Sequence, residues 1–122
     1  MAAKKLEVLA EGFVFLEGPR WHDGCLWFSD MWGHAVHKIT EQGTVSLVGA
    51  VSNRPSGLNF LADGRLVVVS MADRKLMVMD PANGALTEYA DLSKLAAGDI
   101  NDSVVDAAGN IFVGNFGYDL FN

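Results

Sequence analysis

Cysteine and basic residues, which are typical of several common protein classes, are scarce in this sequence. It holds a single cysteine, Cys25, which excludes an internal disulfide and predicts a small core residue in a reducing compartment. Basic residues are also scarce, since nine Lys and Arg stand against fifteen Asp and Glu, for a formal charge of −6. That balance argues against a nucleic acid or an anionic membrane surface as a partner.

Long apolar runs and helical periodicity are missing as well. There is no run of about 20 apolar residues that could span a membrane. Lys4 and Lys5 are not followed by the apolar core of a signal peptide, so we expect a cytoplasmic protein. Half of the residues are nevertheless apolar, which predicts a chain that folds around a packed core.

A threefold repeat is the strongest pattern that the sequence contains. Each copy has a turn, an apolar strand, a turn that ends in glycine and a second apolar strand. The copies are GPRWHDGCLWFSDM from Gly18, SGLNFLADGRLVVVSM from Ser56 and NDSVVDAAGNIFVGNF from Asn101. Their turn glycines, Gly24, Gly64 and Gly109, are 40 and 45 residues apart. This spacing is typical of a four-stranded propeller blade of about 40–45 residues.

The repeats predict an all-β protein of the β-propeller type, of which the chain supplies about two and a half four-stranded blades. We expect blade 1 at about 13–50, blade 2 at about 54–92 and an incomplete blade 3 at about 100–122. A strand at 6–10 is expected to pair with another blade or another chain. Because closed propellers have about four to eight blades, either the chain is part of a longer protein or copies of it complete one propeller as a homo-oligomer.

Three segments carry a resemblance to a known family. LEGPRWHDGCLWFSD, RPSGLNFLADGRLVVVSMADRKL and NDSVVDAAGNIFVGNFGYDL together resemble the N-terminal part of the senescence marker protein/gluconolactonase family. The resemblance implies a six-bladed β-propeller with one divalent metal ion in its central channel, calcium in most members and zinc or another ion in some. It also implies hydrolysis of sugar lactones or related small cyclic esters, in which the metal polarises the lactone carbonyl and activates water, with a small lactone or a sugar acid as the ligand.

Candidate site residues follow from the same resemblance. Glu17, in EGPRW, corresponds to the family's first metal ligand, and Asn101, in NDSVVD, to a residue that lines the substrate pocket. Trp32 follows the second strand of blade 1 and is a candidate for the mouth of that pocket. Members that act on sugar lactones often carry an arginine two residues before the asparagine, where this chain has Asp99. The remaining metal ligands and the general base belong to later blades, so no catalytic residue is predicted here.

Simpler interpretations of these residues stay open at the level of sequence. Glu17 can be an exposed turn carboxylate, Asn101 an Asx-turn residue and Trp32 a packing residue between blades. The function has alternatives too. One is a propeller that binds a metal ion or a metabolite without catalysis, and another is a scaffold that binds a protein partner.

Overall fold

The computed structural model describes residues 2–121, which form ten antiparallel strands. The first two repeats each form a four-stranded sheet, and the third forms a two-stranded sheet. The first sheet consists of β1 (Leu16–His22), β2 (Cys25–Asp30), β3 (Ala35–Thr40) and β4 (Val45–Ala50). The second consists of β5 (Pro55–Phe60), β6 (Leu66–Ser70), β7 (Lys75–Met79) and β8 (Leu86–Asp91). The third consists of β9 (Ile100–Val105) and β10 (Ile111–Asn115).

This arrangement confirms the predicted all-β fold of the propeller type. Within each sheet the strands follow one another in chain order, as successive hairpins produce. The turn glycines close the first hairpin of each blade: Gly24, Gly64 and Gly109 have φ angles of 71°, 88° and 87°. Glycine adopts such angles without a steric penalty. Residues 2–121 form no helix that is long and apolar enough to cross a membrane.

Blade 2 lies between two apolar clusters, one shared with each neighbouring blade. All five residues of β6 are buried, and successive side chains of a strand point to opposite faces of its sheet. Leu66 and Val68 therefore join the cluster formed with blade 1, whereas Val67 and Val69 join the cluster formed with blade 3. Burial on both faces explains why this strand is a continuous apolar run rather than an alternating one.

The N-terminal segment joins none of the three sheets of this chain. Residues 6–10, expected as a strand, form no strand within the chain. Leu9 instead approaches Gly43 in the turn between β3 and β4, and Leu9 and Phe13 help to line an apolar cavity of about 300 Å³ against Phe28. A strand needs a hydrogen-bonded neighbour, and a segment that lies across the face of a sheet has none. Pairing of residues 6–10 with another blade or chain stays a prediction.

Asp30 ties this segment to blade 1. Asp30 as a residue is 3% exposed, and its carboxylate accepts hydrogen bonds from the backbone N–H groups of Val14 at 3.0 Å, Phe15 at 2.8 Å and Gly33 at 3.0 Å. Burial by itself would raise the pKa of Asp30. The three hydrogen bonds, together with the nearby His37, outweigh burial and hold that pKa below its ordinary value.

We expect the Asp30→Asn variant to lose about 2 kcal/mol of unfolding free energy at neutral pH, because the amide carries no charge and one accepting oxygen fewer. Since the folded-state pKa is lowered, the carboxylate's contribution is complete above the ordinary value of 3.8 and is lost as the pH falls through the folded-state value. Urea unfolding at pH 7 and pH 3 measures the difference, which should shrink at pH 3. Asp23→Asn, in an exposed turn, is the control, and an equal loss in both variants would contradict this role.

Candidate functional site

The strand register places one polar residue at the same position in all three blades. At one end of each first hairpin, Leu16 pairs with Asp30, Pro55 with Ser70 and Ile100 with Asn115. The next residues along β1, β5 and β9 are Glu17, Ser56 and Asn101, which we call the polar row. These three strands, here called the inner strands, pack against one another in the order β1, β5, β9. The structure thus brings Glu17 and Asn101, both predicted site residues, to equivalent positions.

A β-bulge lies at the polar row in every blade. The register of pairing shifts between Glu17 and Arg20 in β1, and it shifts at the corresponding points of β5 and β9. Bulges turn side chains away from the regular pleat and are common next to functional sites. The same local distortion of the inner strand therefore recurs at the polar row of each blade.

Glycines allow the inner strands to approach closely. Gly18 has a φ of 58°, and a Cβ at this position would lie 2.5 Å from the carbonyl oxygen of Ser56. A Cβ at Gly57 would lie 2.7 Å from the backbone nitrogen of Ser103. Both distances are too short for any side chain, so the contact of β1 with β5, and of β5 with β9, depends on glycine.

The approach of β1 to β5 joins Glu17 to Ser56. The Ser56 hydroxyl donates a hydrogen bond to Oε2 of Glu17. On the other side, the Ser29 hydroxyl donates a buried hydrogen bond of 2.7 Å to the Ser56 carbonyl oxygen. Ser56 is therefore held in place by β2 and in turn orients the carboxylate of Glu17.

Asn101 is half-buried at the β9 end of the row. Its side-chain oxygen lies 3.1 Å from the point that a Cβ on Gly114 would occupy, so glycine in β10 leaves room for the amide. Within residues 2–121 the Asn101 side chain makes no hydrogen bond. Both amide donors and the amide oxygen are thus available to a ligand.

Ser56 is the member of the row that sequence reasoning missed. It stands eight residues before Gly64, as Asn101 stands eight residues before Gly109. The offset from the turn glycine could therefore have found it. A serine next to a glycine is typical of any turn, however, and only the register shows that Ser56 and Asn101 are equivalent.

Trp32, the third predicted site residue, lies in the turn after β2 and is 39% exposed. The guanidinium carbon of Arg54 lies 5.2 Å from the centre of its ring. Its other ring contacts are edge-on, with Phe121 at 5.3 Å and His34 at 6.5 Å. These contacts do not join Trp32 to the polar row, and its role in substrate binding stays a prediction.

Asp99 stands where the resemblance implies an arginine, and the structure supplies an arginine from the neighbouring blade. Nη2 of Arg54 donates a hydrogen bond to Oδ2 of Asp99. The two side chains are 20% and 23% exposed, so the ion pair is largely buried. Sequence reasoning did not identify Arg54, because its partner lies 45 residues further along the chain.

The polar row offers the type of ligand atoms that a hard divalent cation prefers. Carboxylate, hydroxyl and amide oxygens suit calcium, which takes about six to eight oxygen ligands. Zinc prefers nitrogen and sulfur ligands, which the row does not contain. Among residues 2–121 no group of three His, Cys, Asp or Glu side chains is placed to hold a metal ion. The row thus has oxygen atoms of the kind that calcium prefers, but residues 2–121 do not form a complete metal site.

Comparison with protein families gives one clear match. The family described as the SMP-30/Gluconolactonase/LRE-like region matches residues 15–122. No match was found among curated proteins.

Solved structures agree with this match. The chain is similar to a gluconolactonase from Xanthomonas campestris, with 27% identity and a TM-score of 0.76 over 89% of this chain and 38% of that chain. The calcium-binding protein regucalcin from Agrobacterium tumefaciens gives 24% identity and a TM-score of 0.72, over 87% and 37% of the two chains. Virginiamycin B lyase from Staphylococcus aureus gives 16% and 0.60, over 83% and 41%. The last two share the fold, and the chain spans about two fifths of the length of each structure.

Proposed function

The chain belongs to the SMP-30/gluconolactonase/LRE-like family, and from this premise we propose that the protein hydrolyses small lactones with one divalent metal ion. The observation that carries the proposal is the polar row. It places a carboxylate, a hydroxyl and a free amide at equivalent positions of three neighbouring inner strands. The similarity to a gluconolactonase supports a lactone or the corresponding sugar acid as the ligand.

Each member of the row has a role that suits its chemistry. Glu17 supplies a charged oxygen ligand to the metal ion, which we propose is calcium because the donor set is oxygen only. Ser56 holds the carboxylate in one orientation through its hydrogen bond to Oε2. Asn101, whose amide is free, binds a hydroxyl group or the ring oxygen of the substrate.

When bound, the divalent ion polarises the lactone carbonyl and lowers the pKa of a water molecule. The residues of this chain position the reacting groups. Glu17 serves as a ligand and accepts from Ser56, so we do not assign it as the general base. A base must lie within reach of the attacking water, and we place it in the blades that complete the ring.

Blades 1 and 3 carry apolar side chains that a closed propeller would cover. Trp21 in β1 is 58% exposed, as is Val104 in β9, and Phe112 in β10 is 61% exposed. The third sheet also has two strands where the other sheets have four. We propose that further blades cover these faces and complete the ring, either from the same polypeptide or from a second copy in a homo-oligomer.

An isolated monomer of this chain is expected to hydrolyse no lactone at a measurable rate, because one carboxylate does not hold calcium. Light scattering with intact mass spectrometry gives the state of assembly. On the same sample, turnover of glucono-δ-lactone and δ-valerolactone is followed with and without EDTA. Turnover by a verified monomer would contradict this expectation. Turnover that survives EDTA in a larger assembly would contradict the role of the metal.

A further inference from the structure

Arg54 and Asp99 occupy equivalent positions in neighbouring blades. The register aligns Pro55 with Ile100, so the residues just before them, Arg54 and Asp99, correspond. Each stands two residues before a member of the polar row, Ser56 or Asn101. The ion pair therefore lies at the same end of the inner strands as the row.

The guanidinium of Arg54 has hydrogen-bonding capacity that the protein does not use. Its Nη2 donates to Asp99, whereas Nε is buried and has no hydrogen-bond partner among residues 2–121. Trp32 and Phe121 cover the guanidinium, with ring centres 5.2 and 4.9 Å from its central carbon. A buried donor without a partner is unfavourable, and a ligand atom that accepted from it would offset that cost.

The backbone at Arg54 is also held in an unfavourable conformation. Its φ is 67°, whereas the equivalent residues Phe15 and Asp99 have no positive φ. Between residues 2 and 121, the other non-glycine residues with positive φ are Asp23, His34 and Arg74, and all three lie in turns. Such a conformation is strained for a residue with a side chain and often occurs at binding sites.

We propose that Arg54 is a specificity-determining residue that binds hydroxyl groups of a polyhydroxylated ligand. The proposal rests on the proposed lactone site, since the ligand is the hydroxylated lactone or the acid it releases. An Arg–Asp pair is neutral overall and presents donors beside an acceptor. A hydroxyl group of the ligand matches that arrangement, because it can accept a hydrogen bond from Arg54 and donate one to Asp99. The exposed part of the Trp32 ring provides an apolar surface for the carbon skeleton.

Binding of two acids to the ¹⁵N-labelled chain tests the proposal. D-Gluconate carries hydroxyl groups along its chain, whereas 5-hydroxypentanoate has the same carboxylate and lacks the inner hydroxyls. We expect gluconate to shift the NMR signals of the Arg54 Nε–H and the Trp32 indole N–H, and 5-hydroxypentanoate to bind at least about tenfold more weakly. Arg54→Gln and Arg54→Gly should weaken gluconate binding by a similar factor, and the glycine variant also relieves the backbone strain.

A matched control comes from the opposite end of blade 2. Arg65 also pairs with a carboxylate, Asp63, and lies 5.9 Å from the ring of Tyr89. Arg65→Gln should leave gluconate binding unchanged. Equal binding of the two acids, or wild-type gluconate binding by Arg54→Gln, would overturn the proposal, as would an equal loss in the Arg65 variant.

Lactone turnover, measured separately, distinguishes this proposal from the proposed function. If turnover is sensitive to a chelator but the Arg54 variants bind gluconate as tightly as the wild type, the role of Arg54 is refuted and lactone hydrolysis is not. Binding of gluconate through Arg54 without turnover of any lactone would refute lactone hydrolysis and leave the recognition of hydroxyl groups intact.

Discussion

Substitution of Glu17 by glutamine is expected to abolish metal-dependent lactone hydrolysis in whichever assembly shows turnover. The amide keeps the size of the side chain and removes its negative charge. Loss of a residue that merely supports a metal ligand costs about 10–100-fold in affinity, so loss of a charged ligand should cost about 100-fold or more. Calorimetric titration with calcium measures the affinity, and turnover of glucono-δ-lactone measures the activity.

Two further variants make this experiment specific. Glu41→Gln removes the same charge from an exposed turn between β3 and β4, and it should change neither the affinity nor the turnover. Ser56→Ala removes the hydrogen bond to Oε2 of Glu17 and should weaken calcium binding by about tenfold, since the ligand is then less well oriented. If Glu17→Gln binds calcium as tightly as Glu41→Gln does, Glu17 is not a metal ligand and the proposed site is wrong.

Among glycine-to-alanine replacements in the inner strands, Gly18→Ala is expected to lower the free energy of unfolding the most. The new Cβ would meet the Ser56 carbonyl oxygen at 2.5 Å, and that atom belongs to the backbone of β5. The φ of 58° adds strain for any residue other than glycine. Together, strain and overpacking should lower the free energy of unfolding by about 3 kcal/mol.

Gly64 provides the matched control for this variant. It has a φ of 88°, yet a Cβ there would have no atom within 4 Å. Gly64→Ala should therefore cost only the backbone strain, about 1 kcal/mol, in urea unfolding. Because the clash pushes β1 away from β5, Gly18→Ala should also weaken calcium binding through the separation of Glu17 from Ser56. Equal losses of stability in the two alanine variants would show that the close approach of β1 and β5 at Gly18 contributes nothing to the free energy of unfolding.

The hairpins were predictable because their information is local. Each turn glycine lies between two short apolar strands, and a segment of about fifteen residues contains the whole signal. The strand expected at residues 6–10 does not form within this chain, and its pairing with another blade or chain stays a prediction. Its composition suits a strand, but a strand forms only where a neighbour offers backbone hydrogen bonds, and the composition carries no information about neighbours.

The site was predictable only in part. Glu17 and Asn101 came from short motifs that resemble a family, and the register later placed them at equivalent positions of blades 1 and 3. Ser56 and Arg54 were missed because their significance depends on contacts with distant residues. Ser56 meets Glu17 across 39 residues, and Arg54 meets Asp99 across 45.

The sequence by itself determined the class of fold and the repeat, because turn glycines and strand alternation act within one hairpin, and its short motifs carried the resemblance to the family. Tertiary structure alone decided that the inner strands contact one another through Gly18 and Gly57, that Ser56 orients Glu17, and that an arginine from blade 2 pairs with Asp99. The physical reason is the packing of neighbouring blades. It brings together backbone segments about 40 residues apart, and no local pattern specifies which side chains then meet.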